Sequence, residues 1–233
     1  MPIINPEIKR YFPPYVTSHV ANGVLYMDAS LPRDIQTSLT RQFMVNDKTT
    51  IGKPISEVSQ ANTQGAREAQ GLIRVIQADN RLLVMKREKT EEDFPWDSRY
   101  WNIRRGLQAR EEGELDYPAY MVELQAIFTA MDTYQKIEGK PLPVEKPVAC
   151  FVNPDPTQKE QWIIFEYQKQ DPNSQDMGVE EVAFVRSIGS KLGDIVANDI
   201  KAIKRTDGSF VLIDTETWRT GEQFRRGLTL ETI

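Results

Sequence analysis

The chain contains one cysteine and one histidine in 233 residues, so it is short of two residue types that often carry catalysis and metal binding. Cys150 alone cannot form an internal disulfide, and its apolar neighbours in the run 148–152 favour a buried, unreactive thiol. His19 lies among polar and turn residues, and one imidazole cannot serve as both general base and ligand cluster. The sequence therefore argues against histidine-based triads and histidine-rich metal sites.

Long apolar runs and an excess of positive charge are also absent. No stretch approaches the ~20 apolar residues of a membrane span. The first thirty residues contain Glu7, Pro13, Pro14 and Asp28 rather than an apolar signal region. A net charge of −5 argues against a protein that grips nucleic acid, because that affinity comes from Lys and Arg on phosphates. We expect a cytoplasmic protein, or an effector secreted into a host cell without a cleavable signal.

The composition, with 39% hydrophobic and 27% charged residues, is typical of a soluble globular protein of one large or two small domains. Residues 1–50 hold short apolar pieces separated by prolines and no motif, so they are interpreted as an N-terminal extension of unknown role. Strand-like segments follow at 51–58, 71–77 and 82–85. A turn at residues 78–80 makes an antiparallel meander of these three strands.

A helix is predicted after the meander. Asp116 can cap it, Pro118 suits its first turn, and an apolar stripe runs along one face. The stripe consists of Met121, Leu124, Ile127, Phe128, Met131 and Tyr134. Two strands at 148–152 and 162–167 and a helix at 179–196 follow. The sequence therefore predicts an α+β protein with a five-stranded antiparallel sheet and a helix inserted after the third strand.

The strongest motif lies near the C-terminal end. Asp199 and Lys201 stand in a loop, Asp207-Gly208 forms a tight turn, and the apolar strand 210–213 ends at Asp214. Phosphoryl transfer needs one carboxylate near the attacking hydroxyl and another on magnesium. The two aspartates suit that chemistry better as a pair than singly, because one lies in a loop and the other ends a strand.

The order of these elements from about Ile51 to Glu216 resembles the protein kinase fold. The resemblance implies a five-stranded N-lobe at 51–167 and a reduced helical C-lobe at 168–233, as in the minimal kinases of bacterial effectors. It implies ATP and Mg²⁺ as cofactors and a protein substrate or binding partner. The implied activity is an ATP- and magnesium-dependent phosphotransferase, most simply a minimal Ser/Thr protein kinase.

The resemblance also implies roles for single residues. Lys86 matches the lysine that holds the ATP phosphates, and Glu123 the glutamate that pairs with it. Glu166 and Tyr167 match the hinge whose backbone hydrogen-bonds adenine.

The remaining implied roles lie in the C-terminal motif. Asp199 matches the aspartate that orients the acceptor hydroxyl, Lys201 the lysine that neutralises the phosphoryl group, and Asp214 the aspartate that binds magnesium. The second metal site lacks its usual ligand, because Lys204 stands where an asparagine is expected, and Asn198 or Glu216 could substitute for it.

Other interpretations stay open on the same residues. Lys86 could be a solvated lysine at a strand end, and Glu123 could be a solvent-exposed residue beside the apolar stripe of an amphipathic helix. The missing asparagine and the dispersed glycines Gly52, Gly65 and Gly71 suit a catalytically dead kinase-like scaffold. A small-molecule kinase and a non-enzymatic structural or interaction protein of phage or viral type are the further alternatives.

Overall fold

The computed structural model describes residues 13–58, 73–87, 120–153, 155, 161–172, 178–196, 200–215 and 218–221. The contacts among these residues divide them between two compact units. The sheet unit comprises the described residues within Pro13–Lys89 and Glu145–Gln168. The helical unit comprises those within Thr90–Val144 and Lys169–Ile233. A large antiparallel sheet together with three helices of ten or more residues confirms the α+β class.

The sheet unit is built on one seven-stranded antiparallel sheet. Its strands are β1 (Tyr15–Val20), β2 (Gly23–Asp28), β3 (Lys53–Pro54), β4 (Ile73–Ala78), β5 (Arg81–Arg87), β6 (Pro147–Val152) and β7 (Gln161–Glu166). They lie in the order β1-β2-β6-β7-β5-β4-β3. Helix α1 (Arg33–Gln42) follows β2, and the short helix α2 (Ile55–Val58) follows β3.

The prediction of five strands is wrong because residues 15–28, assigned to the N-terminal extension, supply two more. They form a hairpin that joins the sheet through pairing of β2 with β6. Its two-residue turn places Asn22 at a φ of 59°, a conformation that asparagine adopts more easily than most residues. Gly23 follows, at a point where the carbonyl oxygen of Val152 leaves no room for a β-carbon.

The strand predicted over residues 51–58 is also wrong. Only Lys53 and Pro54 pair with β4, and the chain turns directly into α2. Proline has no N–H to donate to a further strand, so the sheet ends here. The predicted turn between β4 and β5 is confirmed, with Asp79 at a φ of 53°.

Helix α1 packs against one face of the sheet. Its buried side chains Ile35 and Leu39 join a core that includes Leu25, Ile76 and Trp162. Polar contacts link the helix to strands near both edges: Thr40 Oγ1 lies 3.1 Å from Ser18 Oγ on β1, and Gln42 Nε2 donates to the Gln77 carbonyl on β4 at 2.8 Å. Because four strands separate β1 from β4, the sheet curves around α1.

A fully buried lysine fastens the hairpin to the end of α1. Lys48 Nζ donates to the carbonyl oxygens of Ala21 at 2.7 Å, Phe43 at 3.0 Å and Val45 at 2.5 Å. It also lies 4.7 Å from the centre of the Phe151 ring. The ammonium thus satisfies carbonyl groups that the helix end and the turn leave without helical or sheet partners.

Asp28, at the end of β2, carries a buried carboxylate held in its charged form. Burial opposes the charge, but hydrogen bonds from Ser30 and the nearby ammonium of Lys146 outweigh it and lower the pKa of Asp28 from its ordinary value of 3.8. A lowered folded-state pKa contributes stability above the unfolded value, and this stability is lost as the pH falls through the folded value.

Asp28→Asn should therefore cost about 1.5–3 kcal/mol of unfolding free energy at pH 7, the range for hydrogen bonds to charged groups. The cost should shrink below pH 3.8, as the wild-type carboxylate itself becomes protonated. Urea unfolding at pH 7 and pH 3 measures the difference. Asp79→Asn, at an exposed turn position, is the control. An equal cost of Asp28→Asn at both pH values would contradict the assignment.

The helical unit contains α3 (Tyr120–Glu138), α4 (Val179–Gly189) and two small sheets. One sheet pairs β8 (Ile195–Val196) with β11 (Arg219–Thr220), and the other is the hairpin of β9 (Lys201–Lys204) and β10 (Phe210–Ile213). Its core consists of Ala126, Ala130, Tyr134, Leu142, Val144, Ile188, Leu192, Ala202, Leu212 and Trp218. In the described part of the chain, no helix is long and apolar enough to cross a membrane.

Three predictions for this unit can be compared with the structure. The helix expected from Asp116 is confirmed over α3, while residues 116–119 lie outside the described residues. The helix expected to reach residue 196 ends at Gly189, because the chain turns through Gly193 at a φ of 66° and enters β8. The hairpin at Asp207-Gly208 is confirmed.

Candidate functional site

Two of the predicted site residues meet at the open end of the β9–β10 hairpin. Lys201 begins β9, and Asp214 directly follows β10. Lys201 Nζ lies 2.9 Å from Asp214 Oδ2, with side chains 41% and 28% exposed. Asp214 has a φ of 60°, in the left-handed region that few residues other than glycine adopt. The hairpin therefore presents a half-exposed cation and anion together.

Lys86 lies on β5 in a buried ion pair. Its Nζ lies 2.6 Å from Glu145 Oε1, and the two side chains are 14% and 6% exposed. The ammonium also lies 4.9 Å from the centre of the Phe165 ring on β7. An ammonium between a carboxylate and an aromatic face is well compensated for its burial.

Glu123, the predicted partner of Lys86, forms a buried pair with Arg219. Arg219 Nη2 lies 3.4 Å from Glu123 Oε1, and Nη1 donates to the Trp218 carbonyl at 2.6 Å. This pair joins α3 to β11 within the helical unit. The expected approach of Lys86 to Glu123 stays a prediction.

The predicted hinge residues have backbone N–H groups that are already used within the sheet unit. Glu166 N–H donates to the Lys146 carbonyl at 3.0 Å, and Tyr167 N–H donates to the Leu82 carbonyl at 3.3 Å. An adenine bound by either N–H would have to replace one of these bonds. The Glu166 carboxylate lies 3.9 Å from Arg81 at the surface.

Two further predicted residues, Asn198 and Asp199, lie outside the described residues. Within the described residues, no group of three or more His, Cys, Asp or Glu side chains is placed to hold a metal ion. The role of Asp199 in orienting the acceptor hydroxyl and the role of Asp214 as magnesium ligand therefore stay predictions.

An open cleft lies between β1 and α1 and was not predicted from the sequence. The cleft has a volume of about 420 Å³. Its lining combines hydroxyl and amide side chains with two apolar side chains and one cation: Val16, Thr17, Ser18, Met27, Gln36, Thr37, Thr40 and Arg41. Arg41 is exposed and makes no ion pair within the described part of the chain.

Strand β1 forms the edge of the sheet beside this cleft. Its only strand partner among the described residues is β2. Val20 and Gly23 flank the two-residue turn and form a hydrogen-bonded pair. Away from the turn, non-hydrogen-bonded and hydrogen-bonded pairs then alternate along the hairpin. The backbone N–H and C=O groups of Tyr15, Thr17 and His19 therefore point outward, away from β2.

The two edges of the sheet differ in how they resist pairing with another strand. At the far edge, β3 is two residues long and consists of Lys53 and Pro54. Short length, lysine and proline are the usual means of blocking an edge. In contrast, β1 has six residues and no Asp, Glu, Lys or Arg among them.

One sequence signal could have revealed this edge. The dipeptide Asn22-Gly23, between two strand-length runs, is a common hairpin signal, although here Asn22 is the second turn residue and Gly23 begins β2. The cleft itself has no local signal, because its two walls come from separate segments.

No protein-family model, curated protein or solved structure matches the chain. The function must therefore be inferred from geometry.

Proposed function

We propose that the protein is a non-enzymatic interaction protein that accepts an extended polypeptide strand along β1. The supporting observation is the uncharged six-residue edge strand beside an open, hydroxyl-lined cleft. In recognition by strand addition, main-chain hydrogen bonds supply affinity and pockets for alternate side chains supply specificity. The outward backbone groups of β1 provide the main-chain hydrogen bonds, and the cleft provides space for the alternate side chains.

The incoming strand would bond to the backbone of Tyr15, Thr17 and His19. Its alternate side chains would point to the face that carries Val16 and Ser18, which is the face of α1 and of the cleft. There they would meet hydroxyl groups of α1 and the Arg41 guanidinium, which is suited to carboxylates and carbonyl oxygens.

A hexapeptide with the sequence of β1, Tyr-Val-Thr-Ser-His-Val, provides the test. Added to dilute protein, it should slow amide hydrogen exchange at residues 15, 17 and 19 by at least about tenfold, because these N–H groups become bonded. Residues 16, 18 and 20, already bonded to β2, should change little. A peptide N-methylated at alternate residues is the control. If no amide of β1 is protected at any peptide concentration, the proposal is wrong.

A second candidate is the ATP- and magnesium-dependent phosphotransferase, in the form of a minimal kinase. The observation that favours it is the 2.9 Å pair of Lys201 and Asp214 at the end of a hairpin. In this candidate Asp214 holds magnesium, Lys201 neutralises the phosphoryl group and Asp199 aligns the acceptor hydroxyl, while Lys86 binds the phosphates.

Asp214→Asn tests this second candidate. Asparagine tolerates the positive φ, and a partly exposed pair contributes less than about 1 kcal/mol, so the fold should remain intact. The magnesium-dependent rise in melting temperature with ATP should disappear, because one metal ligand is lost. Asp132→Asn, at an exposed position of α3, should retain it. If the wild-type protein shows no magnesium-dependent rise in melting temperature with ATP, this candidate function is wrong.

A further inference from the structure

We propose that the strand accepted by β1 is the β1 strand of a second copy of this chain, in a twofold dimer centred on Thr17. This inference rests on the proposed strand addition and names its partner. It follows from the pairing rules of antiparallel strands, the residues of β1 and the unequal edges of the sheet.

The outward backbone groups determine the register. In an antiparallel pair, residues that exchange hydrogen bonds stand directly opposite each other. Tyr15, Thr17 and His19 must therefore face outward residues of the second copy. A twofold axis through Thr17 places Thr17 opposite Thr17 and Tyr15 opposite His19, with every outward group paired.

The side chains of this register are compatible on both faces. Threonine opposite threonine is a favourable cross-strand pair, and Val16 comes to lie opposite Ser18. No acidic, lysine or arginine side chain lies opposite a like charge, because β1 contains none. An isologous interface needs this kind of self-complementarity.

The unequal edges favour a closed dimer. Head-to-tail pairing of copies would need β1 to meet β3, and it would produce an open filament. Lys53 and Pro54 block β3 for such pairing. Two copies that meet only through β1 close after one contact.

The cleft has space for side chains of the second copy. Val16 and Ser18 of the partner subunit would point to the α1 side of the joined sheets. They would lie against the cleft, whose lining combines an apolar patch of Val16 and Met27 with the hydroxyl groups of Thr37 and Thr40. The dimer would thus cover both the edge and the opening beside it.

A charge exchange at Thr17 tests the partner and the register together. Thr17 is exposed, so lysine or glutamate at this position should not disturb the fold. Light scattering should show a dimer for wild type and at least about tenfold weaker association for Thr17→Lys and Thr17→Glu alone, because like charges then face each other. Mixing the two variants should restore the dimer. Thr206→Lys, at an exposed turn of the helical unit, should remain dimeric.

Cross-linking provides a second measurement. Opposed hydrogen-bonded residues have Cα atoms about 5.5 Å apart, within the range that a disulfide spans. Thr17→Cys should therefore form an intermolecular disulfide under mild oxidation, since the native Cys150 is buried. Thr206→Cys should not.

The outcomes separate this inference from the proposed function. A monomeric wild type, or a mixture that fails to restore association, overturns the second copy as partner. If the hexapeptide still protects residues 15, 17 and 19 in that case, strand addition stands and the partner is another chain. If the peptide gives no protection and the protein is monomeric, both proposals are overturned.

Discussion

Replacing Lys86 by methionine should lower the free energy of unfolding by about 3–5 kcal/mol, the cost of breaking a buried ion pair by removing one of its partners. Glu145 is 6% exposed and faces the Lys86 ammonium at 2.6 Å, so water cannot easily replace the lost partner. Urea unfolding at neutral pH measures the loss.

A second substitution should recover most of this stability. In Lys86→Met with Glu145→Gln, both charges of this pair are removed, and an uncharged replacement of a buried ion pair is often neutral in stability. The exposed pair Arg81 and Glu166 on β5 and β7 is the matched control. Arg81→Met should cost less than about 1 kcal/mol, because its side chain and that of its partner are 48% and 40% exposed.

This experiment also helps decide between the two candidate functions. If Lys86 also holds phosphates, methionine should abolish stabilisation by ATP in addition to lowering the unfolding free energy. A large loss of stability, recovered by the Glu145 substitution and without any effect of ATP, assigns Lys86 to the fold and favours the interaction protein.

The elements with strong local patterns were predicted well. The hairpin of β4 and β5, the long helix α3 and the strands β6 and β7 each have an apolar period or a turn signal that suffices without tertiary information. The β1–β2 hairpin was missed although Asn22, the second turn residue, and Gly23, the first residue of β2, are typical of hairpins. Its first strand, with Thr17, Ser18 and His19, lacks the apolar content expected of a strand.

The candidate site was less predictable because it depends on distant segments. Lys86 and Glu145 are 59 positions apart, and nothing near either residue indicates the other. The cleft needs the curvature of the sheet to bring β1 and α1 together. Lys48 lies in the polar run Asn46 to Thr50, a pattern typical of a solvent-exposed loop. The Lys48 side chain is nevertheless fully buried.

Lys48→Met should destabilise the protein by about 2–4 kcal/mol. Methionine fills much of the same volume but leaves the carbonyls of Ala21, Phe43 and Val45 without their donor, and unsatisfied buried groups cost about 1–3 kcal/mol each before relaxation. Lys53→Met, at an exposed lysine of β3, should stay within about 0.5 kcal/mol of wild type.

The same substitution connects the core to the proposed interface. Lys48 joins the turn of the β1–β2 hairpin to the end of α1, and these two elements form the walls of the cleft. Its loss should speed amide exchange in β1 and β2 more than in β5 and β7, and it should weaken association through β1. Uniformly faster exchange across the sheet, with association unchanged, would show that Lys48 supports only global stability. Exchange confined to the hairpin would show that one buried ammonium holds the interacting edge in place.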